Sequence, residues 1–158
     1  MKIKLTDFGH LGIFPEQRSN WDKLHNMISE SSANGEVRVL NLFAYTGGST
    51  LAAASGGAHL VHLDASKTSV AWARENADAS GFTDKPIRWI VDDVNKFVAR
   101  EAKRGNTYHG IILDPPSFGR GSKGESWKIE DDLPKLLDSI KLILDDNFQF
   151  ILLSAHSQ

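Results

Sequence analysis

Three carboxylate positions stand out for what surrounds them. Asp64 ends the stretch His59-Leu60-Val61-His62-Leu63-Asp64, Asp92-Asp93-Val94 follows Ile87 to Val91, and Asp114-Pro115-Pro116-Ser117-Phe118 follows an apolar tetrapeptide. Two consecutive prolines fix φ twice and remove two N–H donors, so Pro115 and Pro116 make a rigid, non-helical platform. Asp114 then presents a carboxylate at the end of an apolar strand, and Phe118 offers a face on which a planar base can stack. An acid-Pro-Pro-x-aromatic array of this kind can hold an exocyclic amine next to an electrophile. The blander alternative is a loop stiffener. Asp64 lies about 20 residues beyond a glycine turn, the spacing at which an acid accepts both hydroxyls of a ribose; otherwise it caps the helix after it. A carboxylate at Asp92 or Asp93 can accept from an adenine amino group, with Asp93 favoured, or cap the helix that begins near Val94, or do both.

The glycine turn is Asn41-Leu42-Phe43-Ala44-Tyr45-Thr46-Gly47-Gly48. Adjacent glycines permit close backbone approach and positive φ, and the free N–H groups of a following helix favour an anion. The stretch is not G-x-G-x-x-G, which counts against a nicotinamide-dependent oxidoreductase. His62 reads as a packed strand histidine. The six histidines are scattered without metal spacing, and Ser154-Ala155-His156 lacks a G-x-S-x-G elbow, so neither a metal site nor a hydrolase is expected.

Alternating strands and helices must position these residues. Helical spacing of Trp21, Leu24, His25 and Ile28 predicts a helix over Asn20 to Ser31. Further helices are expected over Ser49 to Ser55, Ser66 to Ser80, Val94 to Arg104 and Asp132 to Leu144, with Pro134 in the first turn of the last. Five strands are expected: Val37 to Phe43, His59 to Asp64, Ile87 to Val91, Gly110 to Leu113 and Phe148 to Leu153. Gly119 to Ser126 reads as a Gly/Ser/Lys-rich loop in which Arg120, Lys123 and Lys128 either meet phosphates or stay solvated. The pattern implies an α/β fold, a Rossmann-like, doubly wound and mostly parallel sheet of about five strands. In such sheets ligands bind at the carboxyl ends of the strands.

The chain has 158 residues, 41% of them hydrophobic, a formal net charge of −2 and no cysteine. That size suits one domain. The charge points to no strongly basic surface, and the lack of cysteine removes disulfides, thiolate metal sites and a cysteine nucleophile. No stretch approaches the length of a membrane span. A soluble, cytoplasmic protein is expected.

Taken together, "GHLGIFPEQRSNW", "VLNLFAYTGGSTLAAASGGA", "VHLDAS", "AWARENADASG", "DDV" and "ILDPPSFGRGSKGESWKIEDDL" resemble the class I S-adenosylmethionine-dependent methyltransferases, in the group related to the large-subunit ribosomal RNA methyltransferases. The resemblance covers nearly the whole chain. It implies S-adenosyl-L-methionine as cofactor and an RNA base as the favoured acceptor. It further implies that Ala44, Tyr45, Thr46 and Gly47 line the methionine end and that Asp64 holds the ribose with Ala65 beside the adenine. Asp93 and Val94 would contact adenine, and Asp114 and Pro115 would sit near the transferable methyl. By a Phe-x-x-Gln pattern, Phe14, Gln17 and Asn20 would fold over the methionine portion. Residues 1–35 are therefore expected to cover the site and 36–158 to form the core of one domain.

Two departures accompany the resemblance. Some relatives methylate carbon through a cysteine after the fifth strand, and the corresponding stretch here is Leu152-Leu153-Ser154-Ala155-His156. Full-length relatives usually carry an extra N-terminal RNA-binding or substrate domain and a strand hairpin after strand five, and the expectation here is a chain without that hairpin, with a fragment or binding module as the alternative to an enzyme. Its fifth strand would then be an open edge for a partner or a further domain to cover.

Overall fold

The computed structural model describes residues 11–12, 17–32, 35–45, 48–116, 118–120 and 126–153. Among them the chain runs β1 (Leu11–Gly12), α1 (Gln17–Ser32), β2 (Arg38–Leu42), α2 (Gly48–Ser55), β3 (His59–Asp64), α3 (Lys67–Ala79), β4 (Ile87–Val91), α4 (Val94–Arg104), β5 (Gly110–Leu113), β6 (Phe118–Arg120), β7 (Ser126–Lys128), α5 (Ile129–Ile140), a 3-10 turn Lys141–Ile143 and β8 (Phe150–Leu153).

The main sheet has the order β1-β8-β5-β2-β3-β4, all parallel. The chain moves outward from β2 through β3 to β4, then returns to place β5 on the other side of β2. This reversal makes β2 and β5 the switch point, and their carboxyl ends open the crevice. Strand alternation sends side chains to two cores. Leu40, Leu42, Val61, Leu63, Ile111 and Leu113 pack with Phe97 and Val98 of α4 and Leu136 and Ile140 of α5. Val39, Leu60, Ile112, Phe150 and Leu152 pack on the opposite face with Leu24 and Ile28 of α1 and Ala53 of α2. Burial on both faces explains why these strands read as continuous apolar runs. Gly110 is required by close packing, because a Cβ there would sit 2.2 Å from the Phe150 ring.

The five expected strands are all present, and the structure adds two features. Leu11–Gly12 forms a short sixth strand paired with Ile151 and Leu152, so the outer edge of β8, expected to be open, is covered there by the chain's own lead-in segment. The stretch expected as a loop from Gly119 instead contributes to an antiparallel ribbon, Phe118 opposite Lys128 and Gly119 opposite Trp127. Helix α5 begins at Ile129, three residues before the expected start, because the Asp132 carboxylate accepts from the Lys128 N–H at 2.7 Å and holds the first turn. Pro134 therefore lies inside the helix.

Candidate functional site

The carboxyl ends of β2, β3, β4 and β5 and the ribbon enclose a cleft of about 410 Å³. Each strand contributes the residues that follow it: Phe43 and Tyr45, then Asp64, Ala65 and Ser66, then Asp93, Val94 and Asn95, then Asp114, Pro115 and Pro116; Gly119, Ser126 and Trp127 close one side.

Asp64 is fixed by main-chain donors alone. Its Oδ2 accepts from the Tyr45 N–H at 3.0 Å and its Oδ1 from the Ser66 N–H at 2.9 Å. Each carboxylate oxygen has a further lone pair, so both can still accept from a ligand. The same tie pins the turn after β2, where the Ala44 N–H also donates to the Leu63 carbonyl at 3.0 Å. Positive φ in this turn falls on Phe43 (57°) and Tyr45 (50°). For bulky side chains that conformation costs roughly 1–3 kcal/mol each and persists only where the surroundings enforce it. Here the enforcing contacts are the Asp64 and Leu63 acceptors on one side and the Trp127 ring on the other, 4.8 Å from that of Phe43.

Asp92 and Asp93 separate clearly. Asp92 accepts from the Asp93 N–H and pairs with Arg100 on α4, and it does not line the cleft. Asp93 caps α4, its Oδ2 accepting from the Lys96 N–H at 3.0 Å, while its side of the helix start lines the cleft beside buried Val94. On the platform, Pro115 is buried and Pro116 exposed. The Trp127 indole Nε1–H donates to the Pro116 carbonyl at 2.8 Å. One lone pair of that carbonyl is thus committed, and Pro115 carries the other platform carbonyl.

Beneath the turn lies a buried polar trio. Asn41 Nδ2 donates to Thr50 Oγ1 at 2.9 Å, and Thr50 Oγ1 lies 2.7 Å from His62 Nδ1. His62 is fully buried against Trp89, with ring centroids 4.9 Å apart. Burial pushes its pKa down to about 4, outweighing the upward pull of the Asp64 charge and the Tyr45 backbone. It is a neutral packing residue tying β3 to α2.

Of the residues expected at the site, Tyr45, Asp64, Ala65, Asp93, Val94, Asp114, Pro115 and Pro116 converge on the cleft. Ala44 is buried in the turn beside it. Phe118 does not line it and is 55% exposed. Phe14, Thr46 and Gly47 lie outside the described residues, and Gln17 opens α1. Sequence reasoning missed Phe43 and Trp127. The signal for Trp127 was available: Ser126-Trp127-Lys128 alternates polar, apolar, polar after a glycine-rich connection, as an antiparallel partner of Phe118-Gly119-Arg120 would.

Known proteins are similar to this chain in sequence and fold. A family model described as S-adenosylmethionine-dependent methyltransferase matches residues 12–145. The chain belongs to the S-adenosylmethionine-dependent methyltransferases. It is similar to the ribosomal RNA large subunit methyltransferase K of Neisseria meningitidis, 30% identical over 151 residues, covering 94% of this chain and 41% of that protein. It is 31% identical over 152 residues to the ribosomal RNA large subunit methyltransferase K/L of Shewanella frigidimarina, covering 95% of this chain and 20% of that one. Among solved structures, the SAM-dependent methyltransferase from Agrobacterium tumefaciens superposes with a TM-score of 0.86 at 45% identity, over 98% of this chain and 49% of that one. SMU.776, solved with SAH, gives 0.76 at 32% identity, over 98% and 39%. The chain therefore spans from a fifth to a half of the length of these proteins.

The cleft fits the cofactor of this methyltransferase family, S-adenosylmethionine. Its volume is within the range of about 300–1,000 Å³ usual for small-molecule sites. Its lining includes the carboxylates of Asp64, Asp93 and Asp114 and the apolar side chains of Ala65 and Val94. Among the described residues no group of three or more His, Asp or Glu side chains is placed to hold a metal ion, and no helix is long and apolar enough to cross a membrane.

Proposed function

We propose that the chain is the catalytic core of a methyltransferase that moves the methyl group of S-adenosylmethionine to a base of RNA. The observation that carries this reading is the meeting of Asp64, Asp93 and Asp114 in one cleft at the switch point of the sheet. When bound, the cofactor supplies a sulfonium-activated methyl group. Asp64, oriented by the Tyr45 and Ser66 N–H groups, would accept the two ribose hydroxyls. Asp93 would accept from the adenine amino group with its remaining oxygen, and Ala65 and Val94 would flank the ring. The names of the relatives support RNA as acceptor, and an RNA-modifying role would place the chain in the cytoplasm.

At the platform, Asp114 and the Pro115 carbonyl would accept N–H groups of the incoming base. That would aim a nitrogen lone pair in line with the methyl carbon, which is the main demand when the electrophile is already activated. None of the 158 residues is cysteine, so this stretch offers no thiolate for covalent attack on a base. Phe14 and Gln17 of the lead-in segment 1–35 would close over the methionine end of the core 36–158. Phe118, exposed beside the platform, would stack on an incoming base.

Asp114→Ala tests the reading. Methyl transfer to RNA from labelled cofactor is expected to fall at least roughly 100-fold, while calorimetric affinity for S-adenosylhomocysteine changes by less than a few-fold. Full transfer activity in the variant would remove Asp114 from the chemistry.

A further inference from the structure

Trp127 has no part in the steps above, although it forms one wall of the cleft. It sits in the middle of β7, is 8% exposed and belongs to the same core as Leu42, Leu63 and Leu113. Its indole has one hydrogen-bond donor, and that donor is spent on the Pro116 carbonyl. Its ring meets Phe43, the first positive-φ residue of the turn that Asp64 pins.

The loop after β5 needs such an outside hold. Pro115 and Pro116 have no N–H to donate, so the platform cannot be tied down through its own amides at those residues. The ribbon lies directly on it: a Cβ on Gly119 would sit 3.4 Å from Pro116 Cγ and 4.0 Å from Trp127 Cβ. One side chain thus touches both halves of the cleft, the turn after β2 by packing and the platform after β5 by a hydrogen bond.

We propose that Trp127 is a positioning residue that sets the acceptor side of the site. By holding the Pro116 carbonyl it directs the incoming base to the Asp114 carboxylate and the Pro115 carbonyl, and through Phe43 it keeps that pair in register with the methyl-donor side. The proposal rests on the methyltransferase reading, and two measurements keep their failures apart.

Trp127→Phe keeps an aromatic ring against Phe43 and removes the N–H. Its turnover on RNA is expected to fall roughly 10- to 100-fold, the cost of a misplacement near 1 Å, with affinity for S-adenosylhomocysteine within threefold of wild type. The second measurement needs no activity. The indole N–H signal missing from the variant's ¹H–¹⁵N spectrum identifies Trp127 in the wild type. It should exchange with solvent at least tenfold more slowly than that of Trp72, which is 54% exposed. The Asp114 and Phe118 amide signals should shift in Trp127→Phe and stay in place in Trp72→Phe.

Turnover within twofold of wild type, or an indole N–H that exchanges as fast as that of Trp72, overturns the proposal. A wild type that transfers no methyl group defeats the methyltransferase reading, and the exchange and shift data then still decide whether Trp127 holds the platform. If Trp127→Phe does not fold, the signals lost in Trp21→Phe, Trp72→Phe and Trp89→Phe leave the fourth indole as Trp127, and its wild-type exchange rate decides.

Discussion

The two ends of the parallel sheet hold their charged groups differently. At the amino ends of the strands, charged groups pair chiefly with side chains, although the Asp145 carboxylate also accepts the Asn147 backbone N–H at 3.0 Å. Arg38 donates to the Thr107 carbonyl and hydroxyl and pairs with Asp145, which also takes the Thr107 hydroxyl and faces His109. Buried Glu101 accepts from Tyr108 at 2.5 Å and from Asn106 at 2.7 Å. At the carboxyl ends Asp92 is paired with Arg100, but the cleft carboxylates Asp64 and Asp93 are held by backbone N–H groups. A main-chain donor orients a carboxylate without cancelling its charge or covering its outer lone pairs. The same end carries the two positive-φ aromatic residues and the exposed Tyr45 and Phe118. At the amino ends, where a cavity of about 570 Å³ also opens beside Arg38, Glu101 and Tyr108, the charges are paired within the folded chain; at the carboxyl ends the cleft carboxylates keep lone pairs for a ligand.

That contrast can be broken by substitution. Asp64→Ala should have the largest effect. Losing two charge-assisted acceptors should weaken S-adenosylhomocysteine binding by about 3 kcal/mol, roughly 100-fold, in calorimetry. Unchanged affinity would put the ribose elsewhere.

Acidification should act through the trio beneath the turn. The folded pKa of His62, about 4, lies below its unfolded value of 6.5. The unfolded chain therefore binds the proton more readily between those limits, and stability that is complete above pH 6.5 falls as the pH drops towards 4. The loss should reach about 2–3 kcal/mol at pH 4.5 in urea unfolding, and His62→Gln should lack that part of the pH dependence. An identical pH profile in the variant would mean that other groups control it.

Tyr108→Phe should show the smallest effect and the opposite selectivity. Depriving the buried Glu101 carboxylate of one donor should cost about 2 kcal/mol of stability, with cofactor affinity unchanged. A comparable drop in affinity would erase the distinction between the two ends.

How much of this the sequence discloses depends on how local the cause is. Strands β3, β4 and β5 lie where apolar runs meet Asp, Gly or Pro. Helix α4 is bounded by its Asp93 cap and by Gly105 in the left-handed conformation, both local signals. The carboxylates of the cleft are legible for the same reason, since each follows a recognisable strand. The remainder depends on contacts between distant segments. β1 is a strand only because Leu11 meets Ile151, and the ribbon needs Phe118 to face Lys128 across a segment whose composition reads as loop. Adjacent glycines at 47 and 48 permit positive φ, Gly47 lies outside the described residues, and positive φ on Phe43 and Tyr45 has a non-local cause, the carboxylate of Asp64 and the carbonyl of Leu63 that draw the backbone N–H groups between them. The separation of Asp92 from Asp93 likewise needs Arg100, one helix face away.

The central claim, that the cleft at the carboxyl ends of β2 to β5 holds an adenosine bearing a methionine tail, is tested most directly by titrating the wild-type chain in a calorimeter with S-adenosylhomocysteine and NAD in parallel. The account predicts one saturable site for S-adenosylhomocysteine and no heat of binding for NAD. Saturable binding of NAD with none for S-adenosylhomocysteine would contradict it.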